Sequence, residues 1–202
     1  MVERIPRHDL LFFEDSVTSE LALANNHLEV LSVRSKSQVT AEVLGALPNL
    51  KFVVTRTTGF DHIDLGACRK RKIVVSNVPG YAAQTVAEVT LALMLDLTRK
   101  VSRGEVRLRD EGSFDVEGLR GMDLFGKTLG VVGMGRIGKH VARIGRGFGM
   151  AVVGYDVFES KEDAAEIGYS YLQLEQVIGN SDIITLHCPA TAGNCPVIDR
   201  VV

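Results

Sequence analysis

Lys127-Thr128-Leu129-Gly130-Val131-Val132-Gly133-Met134-Gly135-Arg136-Ile137-Gly138 joins a short apolar run to three glycines spaced G-x-G-x-x-G. Each glycine has its own steric reason in a strand–turn–helix unit. Gly133 permits a tight turn off the strand. Gly135, without a Cβ, lets the backbone approach a bulky anion, and Gly138 lets the following helix pack closely on the strand. The N–H groups that open the helix, around Arg136 and Ile137, then face that anion with the positive end of the helix dipole behind them. A phosphate-bearing dinucleotide is the ligand this arrangement suits.

The surroundings sharpen the reading. Ile137, Val141, Ile144 and Phe148 follow at helical spacing and make one apolar face. A second apolar strand, Ala151 to Tyr155, ends at Asp156, which lies 18 residues past Gly138. A carboxylate there accepts hydrogen bonds from adenine-ribose hydroxyls. Val157, Phe158, Glu159 and Ser160 include no Arg or Lys to hold a 2′-phosphate, so NAD is expected rather than NADP. Taken alone, the glycines also suit a turn in an ordinary α/β domain, with Asp156 capping a strand end.

At 202 residues and 22.0 kDa, with 46% hydrophobic residues, the chain suits one or two domains. A net charge of -2 and a pI near 6.2 offer no electrostatic case for nucleic acid or an anionic membrane. Arg69-Lys70-Arg71-Lys72 sits between a helix and a strand and reads as a solvated loop. Cys68, Cys188 and Cys195 have neither disulfide-framework nor zinc spacing. The charged start and the lack of any long apolar run lead to the expectation of a cytoplasmic protein without a membrane span.

Strand and helix signals alternate along the first hundred residues. Strands are expected at Leu10–Phe13, Leu28–Val33, Phe52–Thr55 and Ile73–Ser76, with helices at Ser16–Asn25 and Gln38–Leu47. A helix from Thr85 to Arg99 is apolar nearly all round, which predicts burial between layers or domains. Ser102 to Gly126 then reads as a polar crossover. Domains are therefore expected at 1–100 and 101–202. Within the second, strands fall at 128–132, 151–155, near 169–172 and at 182–186, with a short helix at Leu174–Gly179. The whole is a doubly wound α/β design with parallel sheets. In the order 3-2-1-4-5-6 of such a sheet, Asp182–Leu186 is the fourth strand and should have a neighbour on each side; without a further strand in these residues, its outer edge at Ile183, Ile184 and Thr185 is expected to be unpaired.

Several ordered blocks resemble the D-isomer-specific 2-hydroxyacid dehydrogenases. Thr57-Thr58-Gly59-Phe60-Asp61-His62-Ile63-Asp64 is similar to that family's substrate loop, and Ser76-Asn77-Val78-Pro79-Gly80-Tyr81 to the turn after it. Val86-Ala87-Glu88 opens the interdomain helix, although Val89 stands where many members carry His. Gly126-Lys127-Thr128-Leu129-Gly130 leads into the glycine motif, and Leu186-His187-Cys188-Pro189 resembles the adenine-side loop.

The resemblance implies a flavodoxin-like substrate domain followed by a Rossmann domain, with each domain incomplete. It also implies NAD-dependent oxidation of a small D-2-hydroxy acid, or reduction of the 2-keto acid, by a protein that is a homodimer at full length. Thr58 and Gly59 would hold the substrate carboxylate through their backbone, and Tyr81 would border the pocket or pack in the interior. Gly133, Gly135, Arg136, Ile137, Gly138, Asp156, Cys188, Pro189 and Asn194 would contact the cofactor. Family members add an Arg, a carboxylate and a His that polarise and protonate the carbonyl. Those lie beyond the adenine-side loop, and Thr191–Val202 contains no comparable block; Arg200 is misplaced for the clamp. His187 is on the adenine side, away from hydride transfer, and nothing near Cys188 lowers its pKa. The expectation is an N-terminal fragment, or the product of a truncated gene, that lacks the catalytic residues and is inactive alone. An NAD-sensing corepressor-like protein and a non-functional remnant are the alternatives.

Overall fold

A computed structural model describes residues 8–189 and 196–198. The chain divides into two compact units, Met1–Tyr81 and Ala82–Val202.

The first unit runs α1 (Ser19–Ala24), β1 (Val30–Val33), α2 (Ala41–Gly45), β2 (Phe52–Thr55), α3 (Leu65–Lys70) and β3 (Val74–Ser76). Its strands form a parallel sheet in the order β1-β2-β3, with Val33 opposite Thr55 and Val53 opposite Val75. Short helices need help at their ends. The Thr18, Thr40 and Asp64 side chains accept from the Leu21, Val43 and Ala67 N–H groups and start α1, α2 and α3. Val39, Leu44, Leu47 and Val53 are fully enclosed at the centre of the unit's core. Burial of side chains that size contributes about 2 kcal/mol each. Cys68 belongs to the same core, and burial pushes its thiol up, away from the reactive thiolate.

Two expectations for this unit are corrected. Leu10–Phe13 forms no strand, and Phe12 is 75% exposed. Four apolar residues in a row satisfy a buried strand only where a ladder receives them, and among the described residues none pairs here. The basic run is not a solvated loop throughout. Arg69 and Lys70 finish α3, and the Arg71 guanidinium donates to the Leu44 carbonyl and, at 2.7 Å, to that of Leu47. It thereby caps the C-terminal end of α2.

The second unit runs α4 (Ala83–Arg99), α5 (Val101–Glu111), β4 (Thr128–Val132), α6 (Arg136–Gly147), β5 (Ala151–Tyr155), α7 (Lys161–Ile167), β6 (Ser170–Tyr171), α8 (Leu174–Asn180) and β7 (Ile183–Leu186). The parallel sheet has the order β6-β5-β4-β7. Its first strand in sequence is central, and the chain moves outward on one side before crossing to the other. Leu129, Val131 and Val141 are fully buried in its core. Helix α6 lies against β4 through glycines: a Cβ on Gly145 would stand 2.7 Å from Leu129 Cδ2. Strand β7 pairs with β4 alone among the described residues.

Here too the structure differs from the sequence reading. The units divide at Tyr81 rather than near residue 100, because α4 packs on α6 within one core. Helix α4 buries Ala83, Ala87, Leu91, Met94 and Thr98, while Val86, Val89, Leu93 and Leu97 are exposed. It is therefore covered on one side, since apolar residues all round a helix do not reveal which side finds a partner. The supposed crossover contains α5, which has no buried residue and is laced by the pairs Glu105–Arg109 and Arg107–Glu111. Such a helix draws on side-chain pairs four apart rather than on an apolar stripe. Helix α7, which no sequence signal marked, is started by the Ser160 hydroxyl accepting from the Asp163 N–H.

Candidate functional site

The C-terminal ends of β5, β4 and β7 lie side by side, and the topological switch falls between β4 and β7. Open parallel sheets bind ligands in the crevice at that position. The loop there is built on three glycines with three different local environments. Gly133 has φ +96°, a conformation strained for any other residue, and its Cβ would stand 2.5 Å from the Cys188 nitrogen. Gly138 admits no Cβ either, because the Gly133 carbonyl oxygen occupies that space at 2.1 Å. Gly135 is unlike both. Its φ of -71° suits any residue, and a Cβ would meet no atom of the described residues within 4 Å. Nothing among the described residues requires a glycine at 135, while a ligand seated on the backbone would.

Gly135 is the N-cap of α6, where no side chain caps the helix. Among the described residues the opening N–H groups at Arg136 and Ile137 have no acceptor. Arg136 is exposed and Ile137 packs its side chain against the core, which orients that first turn. The fit to a pyrophosphate is a property of this chain: uncapped donors, a helix dipole and a cradle that a Cβ would fill. Met134, between the first two glycines, is buried against β5, with its Sδ 2.8 Å from where a Cβ on Gly154 would be.

The flanking strands complete the edge of the crevice. The Gly133 N–H donates to the Tyr155 carbonyl at 2.8 Å, and the His187 N–H to the Val132 carbonyl at 2.7 Å. Asp156, half-buried, leaves β5 and accepts from the Phe158 N–H at 3.0 Å through one carboxylate oxygen. Among the described residues no donor reaches its other oxygen. Ser160 N–H donates to the Tyr171 hydroxyl at 3.1 Å, so the turn after Asp156 is anchored at its far end. Cys188 is half-buried and Pro189 exposed, directly after β7. His187 is half-buried, and burial holds its imidazole below the ordinary range. Its Nε2 lies 2.9 Å from Thr185 Oγ1. Asn194 and Arg200 fall outside the described residues. Among the described residues no His, Cys, Asp and Glu cluster could hold a metal ion, and no helix is long and apolar enough to cross a membrane.

In the first unit, Thr58 and Gly59 lie on the exposed loop that leaves β2. The loop is held by side chains. Thr57 Oγ1 donates to the Gly59 carbonyl at 2.7 Å, Asn77 Nδ2 to the Thr58 carbonyl at 2.7 Å, and Thr58 Oγ1 to the Val78 carbonyl at 3.2 Å. Neither the Gly59 nor the Phe60 N–H donates to the protein among the described residues. Tyr81 is 63% exposed at the end of the turn after β3, which excludes interior packing. Sequence reasoning missed the supporting roles of Thr57 and Asn77. A polar residue after a strand and an Asn before a Val-Pro-Gly turn were the available signals, and both are common in loops.

Together these features define a Rossmann-type dinucleotide-binding domain. A family model described as D-isomer specific 2-hydroxyacid dehydrogenase, NAD binding domain, matches residues 91–201. The chain belongs to the D-isomer-specific 2-hydroxyacid dehydrogenase family, and NAD is the cofactor of this domain. A 2-hydroxyacid dehydrogenase homolog from Zymomonas mobilis is 39% identical over 196 residues, which is 96% of this chain and 59% of that protein. The D-lactate dehydrogenase of Aquifex aeolicus, solved with NAD and lactic acid, is 40% identical with a TM-score of 0.77, covering 87% of this chain and 51% of that one. The pyruvate reductase of Chlamydomonas reinhardtii aligns with a TM-score of 0.82 at 32% identity, over 94% and 56% of the two chains.

Proposed function

We propose that these residues carry the cofactor-binding and carboxylate-binding parts of an NAD-dependent D-2-hydroxyacid dehydrogenase. Gly135 carries the cofactor half of this reading: a glycine that no described residue requires, at an uncapped helix start beside the topological switch. Gly133 and Gly138 shape the loop, while the Arg136 and Ile137 N–H groups take the pyrophosphate oxygens. The other oxygen of Asp156 accepts from the ribose. Its charge, with no basic residue at 157–160, favours NAD over its 2′-phosphorylated form. Cys188 and Pro189 border the adenine side, and Asn194 follows them in sequence.

When bound, NADH supplies a hydride for the carbonyl carbon of a 2-keto acid. The residues of the first unit are assigned to substrate. The Thr58–Gly59 backbone takes the carboxylate, with Tyr81 near the same end of that sheet. None of the assigned residues polarises or protonates a carbonyl, so these 202 residues by themselves bind ligands without turning them over. A small 2-hydroxy acid such as D-lactate is the substrate class, which the names of the two structural relatives support. Pairing of two copies in the full-length protein belongs to the same proposal. Calorimetric titration with NAD tests it. The wild-type chain binds, whereas Gly135→Val loses binding while its urea unfolding shows no more than the loss of a poorer N-cap, about 1 kcal/mol. Equal NAD affinity in the two proteins would reduce the motif to a structural turn.

A further inference from the structure

The loop after β2 is supported by a chain of hydroxyls that starts in the core. Thr55, the last residue of β2, is fully buried, and its Oγ1 lies 2.5 Å from Thr57 Oγ1 and 3.1 Å from His62 Nε2. Proton accounting gives this chain a direction. A hydroxyl has one proton to donate. The Thr57 proton goes to the Gly59 carbonyl, which can only accept. Thr57 therefore accepts from Thr55. With its own proton spent, Thr55 accepts from His62, so His62 carries a proton on Nε2.

The geometry of the peptide group turns this order into function. In a trans peptide the N–H points away from the C=O of the same unit. Holding the Gly59 carbonyl through Thr57 aims the Phe60 N–H the other way. Holding the Thr58 carbonyl through Asn77 Nδ2 does the same for the Gly59 N–H. Two consecutive donors are thereby fixed with no partner in the described protein, although a glycine at 59 would otherwise leave them loose. We infer that the His62–Thr55–Thr57 relay, together with Asn77, positions the Gly59 and Phe60 N–H groups for the carboxylate oxygens of a 2-keto acid. The inference rests on the reading of this loop as the carboxylate site. It adds Phe60 as a further donor and names four positioning residues.

Nitrogen-15 NMR of the labelled chain, with pyruvate as the probe, tests it in two independent ways. At pH 8, free wild-type His62 shows the neutral tautomer protonated on Nε2; protonation on Nδ1 alone overturns the relay whatever the ligand does. Pyruvate then shifts the Gly59 and Phe60 amides. Thr57→Val, which keeps the shape and removes the hydroxyl, raises the apparent Kd about tenfold. Thr57→Ser restores it to within about twofold, and NAD titration is the same in all three proteins. A wild-type pyruvate response in Thr57→Val overturns the relay and leaves the carboxylate loop standing. No shift of either amide in the wild-type protein overturns the carboxylate loop itself, and the relay with it.

Discussion

The loops after β2 and β4 both leave the C-terminal end of a parallel strand, and both present backbone N–H groups without partners in the described protein. They are held in place differently. After β4, backbone packs on backbone: Gly133 and Gly138 are excluded from any larger residue by atoms of the main chain at 2.5 Å and 2.1 Å. After β2, hydroxyls and an amide hold carbonyls at 2.7 to 3.2 Å, and a Cβ on Gly59 would meet only the Asp61 carboxylate at 3.6 Å. The first loop is rigid because nothing else fits. The second is directed because specific protons are committed, which also makes it open to adjustment one side chain at a time.

The comparison breaks most readily at Gly133. Gly133→Ala adds a strained φ and a main-chain clash, and should cost the second unit about 3 kcal/mol in urea denaturation. Gly135→Ala, two residues on, should cost at most about 1 kcal/mol, that of a poorer N-cap. Equal losses in the two variants would mean that sterics do not separate these glycines.

Asp156 sharpens the contrast, because here the cofactor edge does depend on one side chain. Asp156→Ala should weaken NAD by roughly 1–3 kcal/mol in calorimetry, the penalty for ribose hydroxyls left without an acceptor. It should also narrow the gap between NAD and its 2′-phosphate. Undiminished NAD affinity would remove Asp156 from the site.

The smallest effect concerns His187, whose N–H ties β7 to the start of the glycine loop. Its folded imidazole resists protonation, while the unfolded chain takes the proton near the ordinary value of about 6.5. The unfolded state therefore binds more protons once the pH drops below that value. Stability is full above it and declines as the pH falls from about 6.5 toward the lower folded value. His187→Gln should flatten the dependence of the unfolding midpoint on pH between 7.5 and 5.5. An unaltered slope would assign the acid sensitivity to other groups.

The two loops were unequally legible in the sequence for the same physical reason that they differ in the structure. Steric exclusion acts at fixed chain spacing, so Gly133, Gly135 and Gly138 leave a pattern, and Asp156 is found by counting along a strand–helix–strand unit. The relay joins residues 55, 57, 62 and 77, whose spacing follows only from how β2, β3 and their loops fold; no one-dimensional pattern encodes it. Central strands such as β2, β4 and β5 matched their apolar runs because two neighbours and a core stabilise them. Leu10–Phe13 had the same composition and no ladder. Helix α5 left no apolar period in the sequence because nothing in it is buried.

Met134 and Gly154 occupy what is nearly a single volume, shared between the glycine loop and β5. The two positions must therefore adjust together: a side chain at 154 requires Met134, a flexible thioether, to turn to another rotamer or to give way to a shorter residue.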